Sequence, residues 1–89
     1  MMKNVTPEKP ESFGQYIAIH MKNFRREYGL SQEQLSERSG VPRSTIASLE
    51  RGEGNPTLQV LVGISQGLGV EMSALLQKPT PTAALYKKE

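Results

Sequence analysis

An 89-residue chain with 36% hydrophobic residues and no cysteine has room for one small domain and lacks the thiols for a disulfide framework or a thiolate metal site. Its single histidine, His20, argues against a His-based metal site or a Ser-His-Asp triad, and with no nucleophile–base pair to assemble, neither an enzyme nor a cofactor is expected. No apolar run approaches the ~20 residues of a membrane span, residues 1–10 lack the apolar core of a signal peptide, and the net charge of +2 is too small alone to name a partner; a cytoplasmic protein is the expectation.

Residues 1–11 are polar, with Pro7 and Pro10, and are expected to form a flexible arm. Ser12 then caps a helix, with Gln15 at the capping-box position. Phe13, Ile17, Met21, Phe24 and Tyr28 recur at spacings of four, four, three and four, which makes one apolar helical stripe bordered by Tyr16. Gly29 stops it. Ser31 and Gln34 form a second capping-box pair, so a helix is predicted from Gln32 to about Ser39, ending at Gly40. Pro42 fits the first turn of the next helix, from roughly Arg43 to Arg51, closed by Gly52. Leu35, Ile46 and Leu49 meet across this tight turn, whereas Arg43, Ser44, Thr45, Ala47 and Ser48 are small or polar and point outward.

Glu53-Gly54-Asn55-Pro56 reads as a turn, and Thr57 caps a fourth helix whose stripe is Leu58, Leu61, Ile64 and Leu68. Gly63 and Gly67 lie inside it, each costing ~1 kcal/mol against alanine. Gly67 suggests close packing; no reason for Gly63 is visible in the sequence. Met72, Leu75 and Leu76 mark a short fifth helix, about Glu71 to Gln77, ended by Pro79 and Pro81. Residues 78–89 read as a flexible tail, although Ala83-Ala84-Leu85-Tyr86 could dock on a partner. With no repeat and no strand pattern, the chain is expected to be all-α: five helices, unstable singly, whose stripes share one sparse core with Val41 and Val70.

Charge is unevenly placed. Residues 20–52 hold Lys22, Arg25, Arg26, Arg38, Arg43 and Arg51 against Glu27, Glu33, Glu37 and Glu50. Five of these six cations are arginine, whose planar fork suits phosphates and guanine edges.

Taken jointly, Arg25, Gly29-Leu30-Ser31-Gln32-Glu33-Gln34-Leu35, Gly40-Val41, Ser44-Thr45-Ile46, Leu49-Glu50-Arg51-Gly52, Asn55-Pro56, Leu58, Leu61, Leu68-Gly69-Val70 and Leu75-Leu76 resemble the Cro/repressor helix-turn-helix domains, the Xre-type transcriptional regulators, over residues 12–77. The resemblance implies a compact, lambda-repressor-like bundle of five helices whose second and third helices read double-stranded DNA, usually as a homodimer on a palindromic site. It also implies roles. Arg43, Ser44 and Ser48 occupy base-contact positions, and Arg43 can engage guanine O6 and N7 in bidentate fashion. Gln32, Thr45, Arg51 and Asn55 occupy phosphate-backbone positions, and a helix start such as that at Gln32 independently suits an anion. Without the surrounding motif, Ser44, Thr45 and Ser48 would be ordinary helix surface, Gln32 a helix-start residue and Arg51 a partner of the helix dipole.

Arg25 and Glu50 match a pair that forms a partly buried salt bridge in this family, so their role is structural. Lys22, Arg26 and His20 are placed on the opposite face, solvated. Ser36 departs from the family's usual alanine and can pack if its hydroxyl bonds back to a carbonyl. The expectation is a sequence-specific, repressor-like regulator with helix 43–51 in the major groove, alone or as a fragment of a longer regulator whose sensor lies elsewhere. The competing reading is a protein-interaction module, such as an antitoxin or adaptor with secondary DNA binding, for which Val60 and Val62 outside the main stripe give the hint.

Overall fold

The computed structural model describes residues 12–79; the arm expected at 1–11, and all of the expected tail except Lys78 and Pro79, lie outside the described residues. Five helices follow one another: α1 (Phe13–Glu27), α2 (Gln32–Ser39), α3 (Arg43–Glu50), α4 (Leu58–Leu68) and α5 (Met72–Leu76). Among the described residues there is no strand.

The caps explain most of these boundaries. Ser12 Oγ accepts from the Gln15 N–H at 3.2 Å and Thr57 Oγ1 from that of Val60 at 3.1 Å, each satisfying a first-turn donor that has no partner within the helix. At α2 the exchange is reciprocal: Gln34 N–H donates to Ser31 Oγ at 3.0 Å, and Ser31 N–H donates to Gln34 Oε1 at 2.8 Å. Gly40 ends α2 in the left-handed region at φ 74°, where a Cβ would be strained. Helix α3 starts at Arg43 as expected, with Pro42 as its N-cap and no side-chain bond there; the Pro42 carbonyl accepts from Ile46 N at 3.1 Å.

All five helices contribute to, or lead into, one core: Ile17, Met21 and Phe24 of α1, Leu30, Leu35 of α2, Val41, Ile46 and Leu49 of α3, Leu61, Ile64 and Leu68 of α4, and Leu75 of α5. Of the other expected members, Val70, Met72 and Leu76 are half-buried and pack against this cluster, whereas Phe13 and Leu58 are outside it. Phe13 and Leu58 are 65% and 67% exposed. Each is the first residue of its helix, and Phe13 instead meets Tyr16 edge-on at 5.5 Å. His20 corrects the sequence reading in the other sense. It is fully buried, three residues after Ile17 and four before Phe24, so it continues the apolar stripe. Its Nε2 lies 2.8 Å from the Gln77 carbonyl, which ties the end of α5 to α1.

The two glycines of α4 receive one explanation. A Cβ on Gly63 would stand 2.8 Å from the Ser39 carbonyl oxygen, and one on Gly67 2.9 Å from Ser39 Cβ and 3.0 Å from Leu35 Cδ1. Both glycines therefore let α4 lie directly against the end of α2, the first helix of the turn unit. Gly63→Ala and Gly67→Ala should each lower stability by about 1–3 kcal/mol through overpacking, despite the better helix propensity of alanine. At Gly14 an added Cβ meets nothing closer than 3.8 Å, so Gly14→Ala should be neutral or stabilising by up to about 1 kcal/mol. Urea midpoints of the three variants check this; three equal midpoints would remove the close-approach explanation.

Candidate nucleic-acid interface

Helix α3 is fixed from behind by an ion pair. Arg25 Nε donates to Glu50 Oε2 at 2.7 Å and Arg25 Nη2 to Glu50 Oε1 at 2.9 Å, a bidentate fork with side chains only 13% and 4% exposed. The third arm, Nη1, donates to the Leu30 carbonyl at 2.8 Å, and Gln32 Nε2 adds a bond to Glu50 Oε1 at 3.1 Å. One guanidinium thus joins α1, the α1–α2 connection and α3, and one carboxylate also holds the start of α2. Burial pushes the Glu50 carboxyl up, but hydrogen bonds from Arg25 and Gln32 and the attraction of Arg25 and Lys22 outweigh it, holding the group below the usual carboxylate range. Ser36 secures the turn itself: its hydroxyl donates to the Val41 carbonyl at 2.6 Å. The acceptor lies five residues ahead, across the turn, rather than behind on the same helix.

With Ile46, Leu49 and Glu50 buried, the outward side of α3 consists of exposed Arg43 and Ser44 and half-buried Thr45, Ala47 and Ser48. Two shallow clefts flank it. Ser44, Thr45 and Ser48 line the first together with Asn55 and the loop into α4. Gln32, Arg43, Ala47 and Arg51 line the second together with Lys22, Arg25, Arg26 and Glu50. The sequence-derived site residues are therefore divided between the two sides of one helix.

Three of them, Gln32, Arg51 and Ser48, are already engaged. The Gln32 amide is held by Glu50, leaving the first backbone N–H groups of α2 as the donors there without an intrahelical acceptor. Arg51 donates to Glu53 Oε2 at 3.1 Å and to Glu53 Oε1 and Ser48 Oγ at 3.2 Å, with both charged side chains well exposed. Its side-chain partners are thus the Glu53 carboxylate and the Ser48 hydroxyl. Lys22 and Arg26 are not on the opposite face, where the sequence reading placed them; they line the second cleft. The signal was available, because residues 22, 25 and 26 stand at i, i+3 and i+4 and share a helix face, which Glu50 fixes through Arg25. Among the described residues no group of side chains could hold a metal ion, and no helix is long and apolar enough to cross a membrane.

Comparison with known proteins agrees with this geometry. A helix-turn-helix family model matches residues 21–75. The chain is 41% identical over 66 residues to an uncharacterized HTH-type transcriptional regulator, y4dJ, of Sinorhizobium fredii, covering 74% of this chain and 82% of that one. It is 37% identical over 64 residues to the immunity repressor protein of Bacillus phage phi105, covering 72% of this chain but only 44% of the repressor. The crystal structure of the restriction-modification controller protein C.AhdI from Aeromonas hydrophila superposes with a TM-score of 0.65 at 32% identity, over 67% of this chain and 91% of that one. The chain belongs to the helix-turn-helix family: it is a sequence-specific DNA-binding regulator of the Xre type, not an enzyme.

The lowered folded-state pKa of Glu50 sets a pH dependence. Its share of stability is present above the unfolded carboxylate value of about 4.3 and is lost as pH falls through the lower folded value. Glu50→Gln, which leaves Arg25 partly buried opposite a neutral amide, should unfold about 3 kcal/mol more easily at pH 7. The gap to the wild type should narrow as the pH drops below about 4.3. Urea titrations at pH 7 and pH 3 check this; a gap that is constant with pH would exclude Glu50 as its source.

Proposed function

We propose that α3 enters the major groove of its operator with Arg43 leading. The supporting observation is positional: Arg43 and Ser44 are exposed at the start of α3, the half of a recognition helix that meets base edges, while the other side of the helix is locked by the Arg25–Glu50 pair. Arg43 makes no salt bridge among the described residues, so its fork is available for guanine O6 and N7. Ser44 and Ser48 add short, weakly discriminating contacts. Thr45 and Asn55 reach phosphates from the first cleft. The backbone N–H groups beginning α2 at Gln32 supply the grip from the other side, with its side chain kept on Glu50. Arg51 reaches phosphate by exchanging the Glu53 carboxylate for it.

Two copies bind a palindromic operator as a homodimer, with half-sites roughly 34–36 Å apart, and act as a repressor in the cytoplasm. Similarity to a phage immunity repressor supports the last role. The interaction-module reading loses part of its motive, because Val60 packs against the core; Val62, 37% exposed, shares a face of α4 only with Leu58 one turn earlier.

Selection of bound duplexes from a random pool tests the assignment. Arg43→Ala should keep the wild-type melting temperature and lose about 1–3 kcal/mol of discrimination at one base pair of each half-site. An unaltered sequence preference would remove Arg43 as the base-reading residue.

A further inference from the structure

The contacts assigned above leave Lys22 and Arg26 without a role, yet both border the cleft that also contains Arg43 and the start of α2. We infer that Lys22 and Arg26 form an additional phosphate-binding surface on α1, which holds the DNA backbone beside the base pairs met by α3. This rests on the orientation given under Proposed function.

Three observations carry it. First, the cleft gathers Lys22, Arg25, Arg26, Arg43 and Arg51 around a single carboxylate, Glu50, and that carboxylate is taken by Arg25 in bidentate fashion. Second, Lys22, Arg26 and Arg43 make no salt bridge among the described residues, so like charges are collected with no acidic side chain bonded to them. A concave surface in which cations outnumber the carboxylate, Glu50 being shared mainly with Arg25 and Arg51 being paired with Glu53 outside the cleft, concentrates field and draws an anion. Third, the cleft runs from α1 past the backbone donors of α2 to the leading residue of α3. An anion that meets all three elements at once has charges repeated along its length, as a nucleic-acid strand does. Arg26 is exposed and Lys22 half-buried, and both line this cleft.

The test is the salt dependence of binding, measured with the full chain on a mixed-sequence duplex and on a duplex recovered by selection. Each phosphate contact contributes about 0.9 to the slope of log affinity against log salt. Arg26→Gln should reduce the slope by about one and Lys22→Gln/Arg26→Gln by about two, so that the double variant loses roughly tenfold less affinity than the wild type between 50 and 200 mM salt. Both duplexes should be affected alike, the preference between them should persist, and Arg26→Lys should restore the slope. Arg26→Gln alters only an exposed side chain, so it remains decisive if the double variant is unstable. A slope unchanged in Arg26→Gln overturns the inference while leaving the reading of α3 intact. A wild-type chain without salt-dependent duplex binding overturns both.

Discussion

The bidentate contact between Arg25 and Glu50 is the constraint on which the rest of the molecule depends. A buried ion pair gives little net stability, because desolvating two charges offsets most of their attraction. What it gives here is orientation. A guanidinium fork on a carboxylate fixes direction as well as distance, and its third arm on the Leu30 carbonyl adds the chain segment entering α2. Gln32 completes the junction from the first residue of α2. Three helices are thereby aligned at the edge of the cleft that carries the cationic side chains. Apolar packing alone, which is non-directional, would leave the pitch of α3 less determined.

The opposite side of the turn unit is set by sterics. Gly63 and Gly67 bring α4 against Ser39 at the end of α2, and Ser36 bridges to Val41 across the turn. The helix-turn-helix is therefore held at three points: the ion pair at the far ends, the hydroxyl bond at the turn and the glycine contact behind α2. Every outward position of α3 is left to small or polar side chains. The same locking explains why the two clefts differ: the side toward α1 inherits its cations, and the side toward the α4 loop inherits hydroxyls and Asn55.

The helices themselves were legible in the sequence because local chemistry determines them. Ser12, Ser31 and Thr57 cap as the pattern requires, and Gly40 adopts the conformation that only its missing side chain makes easy. Depth was less legible. Phe13 and Leu58 have the right phase but sit at helix starts, and period alone says nothing about where a neighbouring helix ends. His20 went astray through residue type, since its phase already placed it between Ile17 and Phe24. At the site, the residues that carry the family resemblance lie mostly on α2 and α3, so they say little of Lys22 and Arg26 on α1, whose face is fixed by Arg25 through Glu50. Side-chain engagement was not legible at all: that Gln32 turns to Glu50, and Arg51 to Glu53, depends on distances that no spacing rule supplies.

If orientation is what the buried pair provides, it can be separated from stability by replacing both charges at once. Arg25→Met/Glu50→Leu removes one cation and one anion, leaves the net charge unchanged and fills the same space with apolar groups, an exchange often close to neutral for folding. The decisive measurement is this variant's ratio of affinities for its selected duplex and a mixed-sequence duplex. The account predicts a folded, cooperatively melting protein whose ratio falls by at least about tenfold, as expected when base-edge contacts worth about 1–3 kcal/mol each are misaligned. A folded variant with the wild-type ratio would show that the ion pair does not set the position of α3, and would contradict the account.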